Sequence, residues 1–282
     1  MSTPLLVPHH VTQESYTEMQ CLSALQQVLN KPNATWASEQ QKDAILAVME
    51  HKTDVLAMLK TGGGKSMLAI IPAILSPNTG TILVLPLKSL MTDWKQKLKG
   101  MNIPYQEYNP SINQGQLNPQ TNLILVSADR ATFAGWRESI TLLHQTLPIT
   151  RMVFDEAHLP LLSSDFRSSL SRVNELRDLS MQLILLSGTV PPTSVLALRD
   201  SFGLLNNGVE IRQSSNRPEL EYILEQPLHP QAIPSKIKEI VLKEQRKWTS
   251  KDRGLVFVAY MDNGVALSEM VSHFMSFGRF IG

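Results

Sequence analysis

Lys65 and Ser66, at the end of Lys60-Thr61-Gly62-Gly63-Gly64-Lys65-Ser66, are the side chains whose types and spacing point most directly to chemistry. Glycine has no Cβ, so three in a row let the chain turn tightly and aim successive backbone N–H groups at one anion. The run is entered from Val55-Leu56-Ala57-Met58-Leu59, which reads as a buried strand. A helix starting at about Gly64 adds its positive dipole end to the same point. Lys65 can then reach the outer phosphates of a nucleoside triphosphate, and the Ser66 hydroxyl can ligate Mg2+. The usual form of this loop has a glycine five residues before Gly64, where this chain has Leu59.

A second group stands downstream. Thr150-Arg151-Met152-Val153-Phe154 reads as a short strand and ends in Asp155-Glu156-Ala157-His158. Carboxylates at the C-terminal tip of a strand sit where open α/β sheets bind ligands. Asp155 is suited to hold Mg2+, mostly through water, and Glu156 to orient and polarise an attacking water. His158 is placed to couple that site to neighbouring loops. With the glycine loop, these residues describe a nucleoside triphosphatase.

The elements that must position these groups are written in the hydrophobic pattern. Residues 54–59, 81–86, 122–127, 150–154 and 182–187 are short, nearly unbroken runs rich in Leu, Ile and Val. Such runs mark strands buried on both faces, hence a parallel sheet. Segments 64–75, 87–99, 129–147 and 164–179 between them read as helices, which gives a doubly wound α/β layer structure. Pro72 falls inside the first of these helices, and Leu90, Trp94 and Leu98 recur four residues apart, placing Trp94 in the core. Residues 208–226 are polar and proline-bearing and read as the end of this domain and a linker. A helix over 234–250, a strand over 255–260 and a helix over 264–275 follow.

Composition sets the outer limits. The 282 residues carry 43% hydrophobic and 18% charged side chains, enough apolar content for a large core. A formal charge of +1 excludes a binder that works by bulk charge and leaves room for a local basic groove. Cys21 is the single cysteine, so no internal disulfide forms, as suits a reducing intracellular compartment. No stretch reaches the roughly 18 apolar residues of a membrane span, and the start of the chain lacks a signal-peptide layout. His9 and His10 read as part of a solvated tail.

Taken in order, these motifs resemble the RecQ-type helicases of helicase superfamily two, with the divergent fungal RecQ-like proteins nearest in pattern. Thr61-Gly62-Gly63-Gly64-Lys65-Ser66 matches that family's first motif, which lacks the leading glycine. Trp36-Ala37-Ser38-Glu39-Gln40-Gln41 resembles its adenine-reading motif, which assigns the base contact to Gln41, with Gln40 as the alternative. Pro86-Leu87-Lys88-Ser89-Leu90 and Ser127-Ala128-Asp129-Arg130 resemble two strand-gripping motifs, Ser187-Gly188-Thr189 the motif linking triphosphate to DNA, Ser214-Ser215-Asn216-Arg217-Pro218 the crossing between domains, and residues 254–260 motif IV.

The resemblance implies a RecA-like P-loop domain at 34–212 after a polar tail at 1–33. A linker at 213–235 and an incomplete second RecA-like domain at 236–282 would follow. It implies ATP and Mg2+ as cofactors: Gln41, Thr61, Gly62, Gly63, Gly64, Lys65 and Ser66 hold ATP, and Ser66 and Asp155 hold the metal. Lys65, Asp155, Glu156 and His158 carry out hydrolysis. Pro86, Lys88, Ser89, Ser127, Asp129, Arg167 and Thr189 contact single-stranded or partly duplex DNA. The activity implied is 3'–5' DNA unwinding, in the nucleus, during repair or recombination.

Two departures from the family pattern matter. After the Asp-Glu-Ala-His box the family carries an aromatic-rich loop; here Leu159-Pro160-Leu161-Leu162-Ser163-Ser164 stands there, followed by Asp165-Phe166-Arg167. Motifs V and VI are not reached before Gly282, so the arginine worth roughly 10³–10⁵ in rate is not supplied by these residues. The expectation is an ATP-binding half with weak turnover, and an unpaired strand at 255–260 able to recruit a partner. The rival expectations are a superfamily-two RNA helicase and a catalytically dead binding module.

Overall fold

A computed structural model of the protein describes residues 16–113, 116–159, 180–216, 220–224 and 229–249. Among them, seven strands form one sheet: β1 (Val55–Met58), β2 (Gly80–Leu85), β3 (Gln106–Glu107), β4 (Leu123–Ser127), β5 (Ile149–Phe154), β6 (Gln182–Ser187) and β7 (Val209–Arg212). Their spatial order is β3-β4-β2-β5-β6-β1-β7, and neighbouring strands run parallel throughout. Helices α1 (Glu18–Leu29), α2 (Glu39–Glu50), α3 (Met67–Leu75), α4 (Lys88–Gly100), α5 (Pro110–Asn113), α6 (Ala134–His144) and α7 (Val195–Phe202) accompany this sheet.

Each central strand supplies two cores, because successive side chains point to opposite faces. Val55, Ala57 and Leu59 pack with α1, α2, α3 and α4 on one face. Leu56 and Met58 pack with Trp136 and Ile140 of α6 and Leu198 and Phe202 of α7 on the other. That two-sided burial is why the runs read as unbroken rather than alternating. The five central strands lie where the hydrophobic runs place them.

Three expectations are corrected. The segment assigned to a polar tail contains α1, whose Cys21, Ala24, Leu25 and Val28 are buried against α2 and α3. Its start is marked by a capping box, in which Thr17 accepts from Gln20 N–H and the Gln20 side chain accepts from Thr17 N–H. Cys21 is therefore a core residue. Residues 209–212, read as the polar end of the first domain without a strand, form β7 and pair with β1 along Val55–Met58. Helix α6 begins at Ala134, five residues later than expected, because Arg130–Thr132 make a tighter 3₁₀ turn first.

The start of β1 is pinned by a buried carboxylate. Asp54 Oδ1 accepts from Leu183 N–H at 2.9 Å and Oδ2 from Leu205 N–H at 2.9 Å, while its own carbonyl accepts from Val209 N–H at 2.8 Å. One residue thus ties β1 to β6 and to the turn before β7. Asp54→Ala leaves buried N–H groups without acceptors and is expected to cost about 2–4 kcal/mol of unfolding free energy, read by denaturant titration. A change under about 0.5 kcal/mol would refute this role.

β5 also carries a charge into the core. Arg151 is buried in register between Thr81 and Gln182, and burial pushes its guanidinium down to about 10.

The chain divides into two compact units, residues 1–216 and 217–282. Within the second unit, α8 (Ile233–Gln245) is amphipathic, and the pairs Lys236–Glu239 and Lys247–Glu244 are on solvated side chains. This matches the expected helix near 234–250, with its lysines serving as solvated surface. The strand expected at 255–260, the helices at 264–275 and 164–179, and the Arg217-Pro218 part of the crossing lie outside the described residues.

Candidate nucleotide-binding site

Since the strands are parallel, the loops after β1, β6, β5, β2 and β4 all emerge on one edge of the sheet. The glycine loop leaves β1 there. Leu59 N–H donates to Ser187 C=O at 3.0 Å, anchoring the strand end to β6, and Gly63 N–H closes a turn on Lys60 C=O at 2.8 Å. Gly62 and Gly64 have φ of +80° and +76°, a region that L side chains rarely enter. These two positions explain why glycine is needed in the loop.

The regular helix after the loop starts at Met67 rather than Gly64. Between them, Met67 N–H donates to Gly64 C=O and Leu68 N–H to Lys65 C=O, an i→i+3 pattern that tightens the first turn. Left-handed Gly64 cannot belong to a right-handed helix, which sets this delay.

Lys65 Nζ donates to Leu59 C=O at 3.2 Å, so the ammonium curls back over the loop it belongs to. A Cβ built on Gly188 would lie 3.3 Å from Lys65 Nζ and 3.7 Å from Thr61 Oγ1. The Ser187-Gly188-Thr189 turn is therefore packed against the glycine loop, and a Cβ at residue 188 would require the Lys65 side chain to shift slightly.

Gln41 meets the loop from the other side. It is 2% exposed, at the start of α2 beyond the Ser38 cap. Its Oε1 accepts from Ala37 N–H at 2.7 Å and its Nε2 donates to Gly64 C=O at 3.3 Å. The amide expected to read adenine is engaged with the chain's own backbone here, as a brace between the Trp36–Gln41 motif and the glycine loop. Gln40, the alternative, is only partly buried on the same helix turn.

The acids lie two strands away from β1, on β5, with β6 between them. Ala157 N–H donates to Leu186 C=O at 2.9 Å, and His158 Nδ1 lies 2.9 Å from Ser187 Oγ and 3.4 Å from Glu156 Oε2. His158 thus joins the acid box to the Ser-Gly-Thr turn, and Thr189 N–H completes the link by donating to Ser187 Oγ at 3.3 Å. Glu156 has φ +46°, a left-handed conformation costly for a side chain with a Cβ, of the kind that clusters at functional sites. Sequence reasoning grouped Lys65, Ser66, Asp155, Glu156 and His158, and the fold brings their strand ends together.

One contact in this site was not foreseen. Trp94, expected as core packing, is buried at 3% exposure, but its indole Nε1 donates to Asp155 Oδ2 at 2.7 Å. The other oxygen, Oδ1, accepts from Glu156 N–H at 3.0 Å. A signal existed in the sequence: a buried tryptophan needs an acceptor for its N–H.

Of the residues expected to hold DNA, Pro86, Lys88 and Ser89 follow β2, Ser127 and Asp129 lie at the end of β4, and Thr189 follows β6. Lys88, Ser89, Asp129 and Thr189 are exposed and Pro86 is half-buried. Ser127 is buried within β4, and its side chain offers little to a partner in solvent. Arg167 lies outside the described residues, as do residues 160–164 of the stretch that stands in place of the aromatic-rich loop.

Among the described residues, no group of three or more His, Cys, Asp or Glu side chains could hold a metal ion. No described helix is long and apolar enough to cross a membrane.

Comparison with known proteins agrees with this geometry. Residues 38–198 match the family described as DEAD/DEAH box helicase. The chain is 30% identical over 234 residues to the RecQ-like DNA helicase blm-1 of Caenorhabditis elegans, covering 77% of this chain and 23% of that protein. It is also 30% identical over 189 residues to the probable ATP-dependent DNA helicase RecS of Bacillus subtilis, covering 64% of this chain and 37% of the relative. The chain therefore spans well under half the length of these relatives. Among solved structures, the helicase Lhr of Mycobacterium smegmatis bound to ssDNA and AMP-PNP superposes with a TM-score of 0.58 at 16% identity, over 89% of this chain and 35% of that one. The DUF1998 helicase MrfA superposes with a TM-score of 0.61 at 14% identity, over 95% of this chain and 41% of that one. At such identity the likeness is one of fold, the α/β RecA-like sheet. With its glycine loop and its Asp-Glu-Ala-His box meeting on one sheet edge, the chain belongs to the DEAD/DEAH box helicases and resembles the RecQ-type DNA helicases within that family.

Proposed function

We propose that this chain is the ATP-binding part of an ATP-dependent 3'–5' DNA helicase of RecQ type, which binds ATP–Mg2+ and single-stranded DNA. The observation that carries this is the junction at Ser187. Its backbone carbonyl holds the end of the glycine-loop strand, and its hydroxyl lies 2.9 Å from His158 of the acid box. Phosphate and metal groups would therefore be addressed from one strand tip and its close neighbour.

The residues fit a triphosphate. The left-handed glycines frame a turn of backbone N–H groups, and Lys65 exchanges Leu59 C=O for a phosphate oxygen. When bound, Mg2+ neutralises charge developing on the phosphoryl oxygens. Ser66 and Asp155 are the side chains that would hold it. Glu156 orients a water and accepts its proton, while His158 keeps that carboxylate in reach of Ser187 and hence of the turn next to the DNA loops. Lys88, Ser89 and Thr189 are the accessible candidates for the phosphates of one strand. The resemblance to RecQ-type helicases supports a role for the full-length protein in nuclear DNA repair or recombination.

The test is a fluorescent-ATP titration followed by phosphate release. Lys65→Ala is expected to weaken binding about 10–100-fold, the loss of one charge-assisted contact. Unchanged affinity would sink the proposal. Any ATP turnover should rise with single-stranded DNA more than with RNA of the same sequence; the reverse preference would assign the chain to RNA.

A further inference from the structure

Asp155 receives one donor on each oxygen, from Glu156 N–H and from the Trp94 indole. The first is local, a contact between adjacent residues. The second spans 61 residues and is made in the interior, by a side chain on a different element. A carboxylate held by two donors cannot rotate freely, and each oxygen still keeps lone-pair capacity for a metal or its water. The Trp94 ring is itself fixed: it packs among Met91, Leu98 and the sheet, and Lys97 Nζ lies 5.0 Å from its centroid. Core packing alone would be met by a phenylalanine. The indole adds an N–H aimed at the acid.

We infer that Trp94 is a positioning residue for the Mg2+-binding carboxylate, holding Asp155 in the orientation that accepts the metal with ATP. This deepens the ATP–Mg2+ proposal above and rests on it. Donors in this outer position typically change metal affinity about 10–100-fold when removed.

The experiment compares fluorescent-ATP affinity in EDTA and in Mg2+, for the full chain and for Trp94→Phe, which keeps a buried ring and removes only the donor. Mg2+ affinity in the presence of saturating nucleotide is read separately, by competition with Mn2+ followed by its paramagnetic resonance signal. The expected result is unchanged affinity in EDTA and a Mg2+ affinity lower by about 10–100-fold. In an Asp155→Ala background, Trp94→Phe should add nothing further, because the group it positions is gone. Trp94→Leu, also without a donor, serves if the phenylalanine variant does not fold. Unchanged Mg2+ affinity overturns the inference, and so does an equal loss with and without metal, which marks Trp94 as structural only. Failure of the underlying proposal looks different: Lys65→Ala would then leave nucleotide binding intact in the parent chain.

Discussion

Glu156→Gln is expected to slow ATP turnover by about 10²–10⁴-fold while ATP–Mg2+ affinity stays within about twofold. Glutamine keeps the length of the side chain and an oxygen acceptor, so packing and the approach of His158 are retained. It cannot take a proton. The contribution lost is therefore that of a general base in the transition state, an effect on turnover and not on binding. The backbone adds weight to this residue, since a left-handed φ of +46° at a glutamate is held only by its surroundings. Phosphate release by the purified chain, set against its fluorescent-ATP titration, decides the matter. A turnover unchanged by the substitution would remove Glu156 from the chemistry, and a matched fall in affinity would make it a binding residue.

The second large effect is expected at Gly64. Adding a Cβ there forces a left-handed residue at φ +76° and drives the new carbon to 2.0 Å from Gln41 Nε2. Left-handed strain costs roughly 1–2 kcal/mol. Gln41 cannot step aside cheaply, because it is buried and bonded to Ala37 and Gly64. Displacing it strands those groups for roughly another 1–3 kcal/mol. Gly64→Ala should therefore lower unfolding free energy by about 2–5 kcal/mol or, where the loop yields instead, abolish ATP binding. Gly100, near the end of α4, is the control. It has no left-handed φ and nothing within 4 Å of an added Cβ, so alanine there should be neutral or stabilising by up to about 1 kcal/mol. Denaturant curves and nucleotide titrations on both variants read the contrast. Equal behaviour at the two glycines would dissolve the claim that loop shape depends on residue 64.

Much of the fold and the outline of the site were legible in the chain itself, where the determining physics is local. A buried parallel strand needs apolar side chains on both faces, and that requirement marks residues 55–58, 80–85, 123–127, 149–154 and 182–187 without reference to the rest of the molecule. Consecutive glycines before Gly64-Lys65-Ser66, and acids at the tip of a strand, are likewise statements about a few adjacent residues. Helix α1 was legible too, through its capping box and the spacing of Cys21, Leu25 and Val28, although the surrounding polar residues masked it.

Partnership was decided elsewhere. Val209–Arg212 alternates Val and Ile with charged residues, but four mostly exposed residues are too short to signal a strand alone, and pairing along the edge of β1 makes them one. Gln41 could face a base or a backbone, and the close approach of Gly64 chose the backbone. Trp94 and Asp155 stand 61 residues apart, each explicable alone, one as core and one as metal ligand. Only the packing of α4 against the sheet set the indole N–H against the carboxylate, because a buried donor can pair only with an acceptor the fold brings within reach. The sequence by itself determined which groups could bind phosphate and metal; the tertiary structure alone decided which neighbours hold them in place.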